Sequence, residues 1–487
     1  MKNKKILLYL MIAISLILCI PSLTYLTTNK TVDGFDGFYT FSLYKSGDIN
    51  ISTISAFVFI GMILLFSILY IYIIKKDKEL FKNIKQVLIF IIITSFIFVI
   101  MLPNLSSDIF YYIGDSWLCG RYHQNPYYKT VKDLQDSGIN DEILNNTGYW
   151  KNTVSVYGPL YNTLSIGLSS LSFGNITIAL FVFKIASLIV HIINCYLIKK
   201  ITKNNKYVLL YGLNPLILIE FLANVHNDIY LILFLLLTLY FLVKKKNVFM
   251  TLVCLALSIA IKYSTVLIVP FILIYIFRKK RILKRITYCM LAGIGIVGIV
   301  VLLYMPFYRD MSIFTNMLVQ GNRYSQSIMA IIIFKASEKV FLLINSLRMP
   351  VFAVLYLLFL IRTLFSKEIV LGKVLKRYNF LMIFFIFLVL TNFQKWYMLW
   401  LIPTMFWQNK NMRNFIINLT LTGLIPSITY FRIENDIFRK GIYYSAAVLI
   451  LAISLTILES IIKEKEKLSM ELICNRIKKH ITFKRLK

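Results

Sequence analysis

The chain has 487 residues, 58% of them hydrophobic, and a mean hydropathy of +0.72, more apolar surface than a soluble globular protein of this size carries. Its formal net charge of +32 comes from Lys and Arg in short clusters between apolar runs. That is the positive-inside pattern of a membrane protein, and with no basic soluble domain to hold one it implies no nucleic-acid partner. The six cysteines (Cys19, Cys119, Cys195, Cys254, Cys289 and Cys474) are scattered without metal-ligand spacing, which argues against a disulfide framework or a zinc site.

Apolar runs of roughly 17–25 residues recur along the chain, each long enough to cross a hydrocarbon core. The first, Ile6 to Leu26, follows Lys2, Lys4 and Lys5. No small-x-small cleavage site follows it, so it is expected to be a retained helix rather than a signal peptide. The lysines place the N-terminus in the cytoplasm. A second helix over 51–74 returns to Lys75, Lys76 and Lys78, and a third over 86–103 leaves again. A long outer loop, 104–157, is expected next. The apolar stretch 158–173 cannot cross without breaking the sign alternation, so it is expected to be interfacial or re-entrant. A crossing then returns to Lys199, Lys200 and Lys203. Four short crossings follow, 207–223, 229–243, 248–261 and 265–277, as expected of broken segments around a cavity. The run 287–307 exits to a second outer loop, 308–348, with an interfacial piece over 327–334. Segments 350–364, 379–393, 396–407, 415–431 and 442–461 complete the path. The expectation is an all-α, polytopic transmembrane bundle of about fourteen helices with both termini cytoplasmic. One catalytic domain spans 1–462, and a basic tail, 463–487, lies on the anionic cytoplasmic leaflet.

Residues that membranes disfavour gather at the outer helix ends and in the outer loops. They include Asp108, Asp115, Arg121, His123, Asn125, Trp150 and Tyr157, the trio His226-Asn227-Asp228, and Lys262. Arg309, Asp310 and Arg323, then Gln394, Lys395, Trp396 and Tyr397, complete the set. Ionisable groups near hydrocarbon cost about 2–3 kcal/mol each and tend to be functional. Bland roles exist for several: Asp108 and Asp228 suit helix N-termini, Lys262 can snorkel to headgroups, and the aromatic residues suit an interfacial belt. A carboxylate at the membrane surface can also act as general base on a hydroxyl, with nearby cations stabilising a phosphate leaving group. No Walker loop or Gly-rich nucleotide turn is present, so lipid-phosphate sugar transfer fits better than use of a nucleotide sugar.

The ordered set of motifs resembles the integral-membrane GT-C glycosyltransferases, and most closely the polyprenol-phosphomannose-dependent α-1,6-mannosyltransferase group. The resemblance rests on Ser107-Asp108-Ile109-Phe110-Tyr111-Tyr112 with Gly120-Arg121 and Asn125-Pro126-Tyr127. Trp150 and Tyr157-Gly158-Pro159-Leu160 follow, then Asn214-Pro215-Leu216, His226-Asn227-Asp228, Ile261-Lys262 with Pro270, and Gln394-Lys395-Trp396-Tyr397 with Leu399-Trp400 and Pro403. Lys395 departs from the pattern, standing where a proline is expected. The resemblance implies an inverting transferase with Asp108 as catalytic base. Arg121, His226, Asn227, Asp228, Lys262, Lys395, Trp396 and Tyr397 would bind the donor phosphate and sugar, and Asp115, Tyr112, Asn125 and Tyr157 would hold secondary places. Some relatives use a divalent cation, Mg2+ or Mn2+, which Asp108 and Asp228 would share. The implied partners are a polyprenyl-phosphate-linked sugar, a glycan or glycolipid acceptor and membrane lipids, meeting at the extracytoplasmic face. A polymerase or ligase of lipid-linked glycans is the nearest alternative. A transporter is a further one, and it would place polar residues at mid-membrane and show an internal repeat.

Overall fold

In surroundings without water, a backbone must satisfy its own polar groups, and helices do so within one segment. The computed structural model describes residues 2–28, 49–103, 105–314, 323–424, 443–462 and 464, and these form helices and no strand. The tail expected over 463–487, Cys474 within it, and the end of the segment 415–431 therefore fall outside the described residues, apart from Glu464.

The longer helices are α1 (Lys2–Thr28), α2 (Ile49–Lys75), α3 (Ile84–Ile100), α4 (Asp108–Tyr122), α5 (Pro159–Ser169), α6 (Ile176–Thr202), α7 (Asn205–Gly212) and α8 (Asp228–Tyr240). They continue with α9 (Val248–Ile261), α10 (Val269–Ile276), α11 (Ile282–Tyr304), α12 (Ile328–Lys335), α13 (Glu338–Leu364), α14 (Leu371–Phe384), α15 (Lys410–Thr422) and α16 (Tyr444–Ile462). In the central layer α8 packs between α6 and α9, α6 is flanked by α3 and α7, and α4 packs on α5.

Among the described residues, five helical segments are long and apolar enough to cross a membrane: Phe57–Lys75, α6, Ile282–Phe307, α13 and α16. A sixth arises if α7 and the segment Pro215–Ala223, bent by 45°, count as one span. Of the remaining described segments of the fourteen-crossing reading, α1 is a continuous helix with an apolar part over Lys5–Ile20, and the others are shorter helices, or helices broken by 3-10 and π turns. Two outer-loop expectations change. Residues 104–157 carry α4 and the short helices Val131–Asp136 and Glu142–Asn145. In 308–348, α12 occupies the expected interfacial piece, but α13 begins at Glu338 and runs through Pro350.

The breaks are held by one face of α6. Lys184, Ser187, His191 and Asn194 recur every three or four residues, which places them on a common stripe, and all four are fully buried. Lys184 Nζ donates to Met101 O (2.7 Å), Leu222 O (2.9 Å) and Ala223 O (2.7 Å), so each of its three hydrogens meets a carbonyl freed where a helix stops. His191 Nε2 lies 3.2 Å from Gly212 O, and Asn194 Nδ2 donates to the Tyr211 hydroxyl at 2.9 Å. Each such carbonyl left bare would cost several kcal/mol. These side chains correct the expectation that polar residues stay at one face, because they run along the length of a spanning helix. Their hydrogen bonds go to neighbouring segments and not to one another.

At the chain break Gly212–Pro215, Asn214 accepts from Leu216 N and Ile217 N and donates to Thr420 Oγ1 at 2.8 Å, with Pro215 at the first helical position. The segment ends in a π turn, Leu218–Ala223. Val225 then adopts φ +60°, a costly conformation for a β-branched residue. It is held by His226 N donating to Glu220 O and by Leu105 N donating to Asn224 Oδ1.

A second close contact joins the loop before α5 to the end of α9. Gly158 N donates to Ile261 O at 3.2 Å, and a Cβ on Gly158 would stand 2.0 Å from Ala260 O. The glycine thus lets Tyr157 and Lys262 share one wall. Gly158→Ala is expected to cost about 1–3 kcal/mol as two backbones are forced apart, read as a lower thermal unfolding midpoint in detergent. An unchanged midpoint would show that the contact does not position the loop.

Candidate active site

The broken helix ends converge on a cavity of about 570 Å³. Asp108 and Tyr111 enter from the first turn of α4, and Trp150 and Tyr157 from the loop before α5. Lys262 follows α9, Arg323 and Arg348 also line the cavity, and Trp396, Tyr397 and Trp400 come from the 3-10 helix Lys395–Leu401. Asp108 is the one carboxylate among the described lining residues, against three cations.

Asp108 does not cap α4: the N-cap is Ser107, which makes no side-chain cap bond, and Asp108 stands at the first helical position. Its side chain is 17% exposed, and its Oδ2 lies 3.7 Å from Nδ1 of His226. His226 is fully buried and stacks under the Trp396 indole, ring centroids 3.5 Å apart. The indole therefore separates the imidazole from the cavity. Behind His226, Nε2 lies 3.1 Å from Glu220 Oε2, and Glu220 Oε1 lies 3.3 Å from Lys395 Nζ.

A second buried pair stands beside the first. Lys262 Nζ contacts both oxygens of Asp228 at 2.9 Å. The ammonium sits 5.1 Å from the Tyr397 centroid and 5.4 Å from that of Trp400, whose indole N–H also donates to Asp228. Lys262 thus turns inward instead of snorkelling, and Asp228 spends its carboxylate on this pair instead of on a helix cap. Arg323 lies over the Trp150 ring at 4.9 Å. Arg348 donates to Val389 O (2.6 Å) and Asn345 Oδ1 (2.9 Å). With Lys262 balanced by Asp228, the two arginines carry the cavity's excess positive charge.

Of the residues expected to bind the donor, Lys262, Trp396 and Tyr397 line the cavity, as does Tyr157. Lys395, His226, Asn227 and Asp228 are buried behind its wall. Arg121 is exposed at the far end of α4, roughly 20 Å along the axis from Asp108 at 1.5 Å per residue. Tyr112 packs edge-on against Tyr157 (4.9 Å) and Tyr161 (5.1 Å), and Asn125 Nδ2 donates to Phe307 O at 2.7 Å. Asp115 is buried below the cavity, and burial pushes its carboxyl well above the usual carboxylate range, with the Ser155 and Tyr111 hydroxyls opposing that shift. Burial likewise raises the Tyr157 phenol, with Asp108 adding to the effect, so it stays a hydrogen-bond donor.

Glu220 was not singled out in the sequence. Its signal was a lone acid inside the apolar run Leu216 to Ala223, six residues before His226. Of the two carboxylates expected to share a divalent cation, Asp108 lines the cavity and Asp228 is bonded to Lys262 and Trp400. Among the described residues no group of three or more His, Cys, Asp and Glu is arranged to hold a metal ion.

Residues 12–278 match the family model of alpha-(1->6)-mannopyranosyltransferase, N-terminal domain, more than half of the chain. The chain belongs to this family. No curated protein and no solved structure matches it. Membership in the alpha-(1->6)-mannopyranosyltransferase family makes it a glycosyltransferase, working with a sugar donor and a glycan acceptor, and its apolar helices make it a membrane protein. The matched stretch carries Asp108, Tyr157, Glu220, His226, Asp228 and Lys262. Arg323, Arg348 and the 395–401 helix, which close the cavity, lie beyond it.

Removing one member of the Lys262–Asp228 pair leaves the other charge buried. Lys262→Met is expected to cost about 3–5 kcal/mol, and adding Asp228→Asn should recover part of that loss. Thermal unfolding of the single and double variants in detergent measures the coupling. Strictly additive losses would refute the pair.

Proposed function

We propose that the protein transfers a mannosyl group from a polyprenyl-phosphate donor to a hydroxyl of a lipid-linked or cell-envelope glycan, inverting the anomeric carbon. The observation that carries this reading is one carboxylate, Asp108, and three cations among the described residues that line an aromatic-walled cavity. Asp108 takes the proton of the acceptor hydroxyl. The hydroxyl oxygen attacks the anomeric carbon from the face opposite the phosphate, and the carbon–oxygen bond to phosphate breaks with its electron pair leaving on the phosphate. Arg323, Arg348 and Lys262 offset the charge that develops there. Trp150, Tyr157 and Tyr397 offer faces on which the sugars stack.

Two features support a lipid-linked donor. Val266 and Met349 line the cavity and are also half exposed, so its edge meets the apolar exterior where a polyprenyl chain would lie. The lysine clusters support an extracytoplasmic site: in the fourteen-crossing path, with the short helices counted as crossings and both termini cytoplasmic, the turns bearing Asp108, His226, Lys262 and Lys395 all fall on the side opposite those clusters.

Membranes containing the protein, incubated with labelled polyprenyl-phosphate mannose, are expected to pass the label to glycan. Transfer from a nucleotide sugar alone, with no lipid intermediate, would overturn the donor assignment. Asp108→Asn is expected to slow transfer by about 10²–10⁴-fold at unchanged membrane insertion, and full activity in that variant would end its role as base.

A further inference from the structure

Asp108, His226, Glu220 and Lys395 form a continuous line of charge leading away from the cavity, with contacts of 3.7, 3.1 and 3.3 Å. We propose that Glu220 and Lys395 lock His226 as the neutral tautomer protonated on Nε2, so that its bare Nδ1 receives a hydrogen bond from Asp108 once Asp108 has taken the acceptor's proton. This rests on the assignment of Asp108 as base.

The distances favour this order of protons. Nε2 stands 3.1 Å from Glu220 Oε2, the nearer of the two carboxylates that face the ring, and is assigned the hydrogen. Nδ1 then presents a lone pair to the ionised Asp108. Two acceptors facing each other form no hydrogen bond, which matches a separation of 3.7 Å, beyond the normal range. When Asp108 accepts the acceptor hydroxyl's proton, its new O–H can close on Nδ1. The bond exists after proton transfer and not before it, so it favours the transition state over the ground state. Glu220 is itself oriented, because Oε2 also accepts from Asn224 Nδ2 at 3.2 Å.

Lys395 supplies the charge count. A buried carboxylate needs a positive partner. With the ammonium beside Oε1, Glu220 stays ionised and His226 needs no second proton. Among the described residues, the other charged groups near His226 are paired: Asp228 with Lys262, and Lys184 with the carbonyls of Met101, Leu222 and Ala223. Without Lys395 the buried set takes up a proton instead. If the imidazole takes it, Nδ1 is protonated. If Glu220 takes it on Oε2, the oxygen that faces the ring, its O–H donates to Nε2 and the ring's own hydrogen moves to Nδ1. In both cases Nδ1 becomes a donor, pairs with Asp108 and weakens it as a base. Glu220 and Lys395 are positioning residues, acting through His226.

The chain has four histidines, so 15N-histidine NMR of the full protein in detergent can read each ring, with His226→Asn used only to assign the signal. In the unaltered protein at pH 7, Nδ1 of His226 should carry no hydrogen, and a protonated Nδ1 there would overturn the proposal. Lys395→Met should protonate Nδ1 at pH 7. Its kcat should fall about tenfold at that pH and recover as pH rises by about one to two units, with KM unchanged. Lys395→Arg keeps the charge and should keep the original pH profile. A Lys395→Met profile that superimposes on the original overturns the proposal. Absence of transfer even by the unaltered protein would count instead against the donor assignment, and the NMR would still decide the tautomer.

Discussion

A helix that stops inside apolar surroundings leaves carbonyls without partners, and this protein stops several helices there. The ammonium of Lys184 answers three of them at once, at the end of α3 and at the end of the π turn before Asn224. His191 and Asn194, on the same stripe of α6, hold the C-terminal end of α7. These bonds permit the breaks, and the breaks place the site. The chain after α3 turns to start α4 at Asp108, and the chain after the π turn brings His226 beneath it. A continuous helix through either region would carry its polar residues around the whole circumference, where half of them would face lipid.

The charged residues divide into those with a buried partner and those left for a ligand. Lys262 is matched by Asp228, and Lys395 by Glu220. Among the described residues, Arg323 and Arg348 reach an aromatic ring, an amide oxygen and a carbonyl, and no carboxylate. Guanidinium groups suit the open role: they stay charged under all conditions and meet phosphate oxygens in pairs. The buried pairs give the wall a fixed shape, at a desolvation cost that their close contacts offset.

What the sequence made legible was punctuation. His226-Asn227-Asp228, Lys262 and the Lys395-Trp396-Tyr397 cluster interrupt apolar runs, and all of them lie at or directly behind the cavity. Their partners were harder to see. Glu220 and Lys184 each sit alone in a run that otherwise reads as a plain span, and a single polar residue shows neither the face it occupies nor the carbonyl it will meet. The stripe at 184, 187, 191 and 194 was available as a spacing of three and four, but it needs the broken neighbours to give it meaning. Arg121 shows the opposite error. Proximity to Asp108 in the chain suggested a shared site, yet both lie in one continuous helix that carries them to opposite ends. The number of crossings was illegible for a related reason, since a run of apolar residues does not state whether it continues straight or bends, as α7 and its successor do.

The π turns at Leu218–Ala223 and Phe385–Val389 have a consequence for how the chain tolerates change in length. Each amounts to one residue more than an α-helix would use, and each immediately precedes a turn that feeds the cavity. One residue of an α-helix is about 100° of rotation. Losing the extra residue would relieve the irregular hydrogen bonding and, in the same stroke, swing the following turn a quarter of a circle or more, taking His226 from Asp108 or Arg348's carbonyl partner from its guanidinium. Substitution and deletion are therefore very different events here. Most apolar positions in these segments can exchange one side chain for another of similar volume, while the spacing between a π turn and the cavity residue that follows it is fixed to the residue.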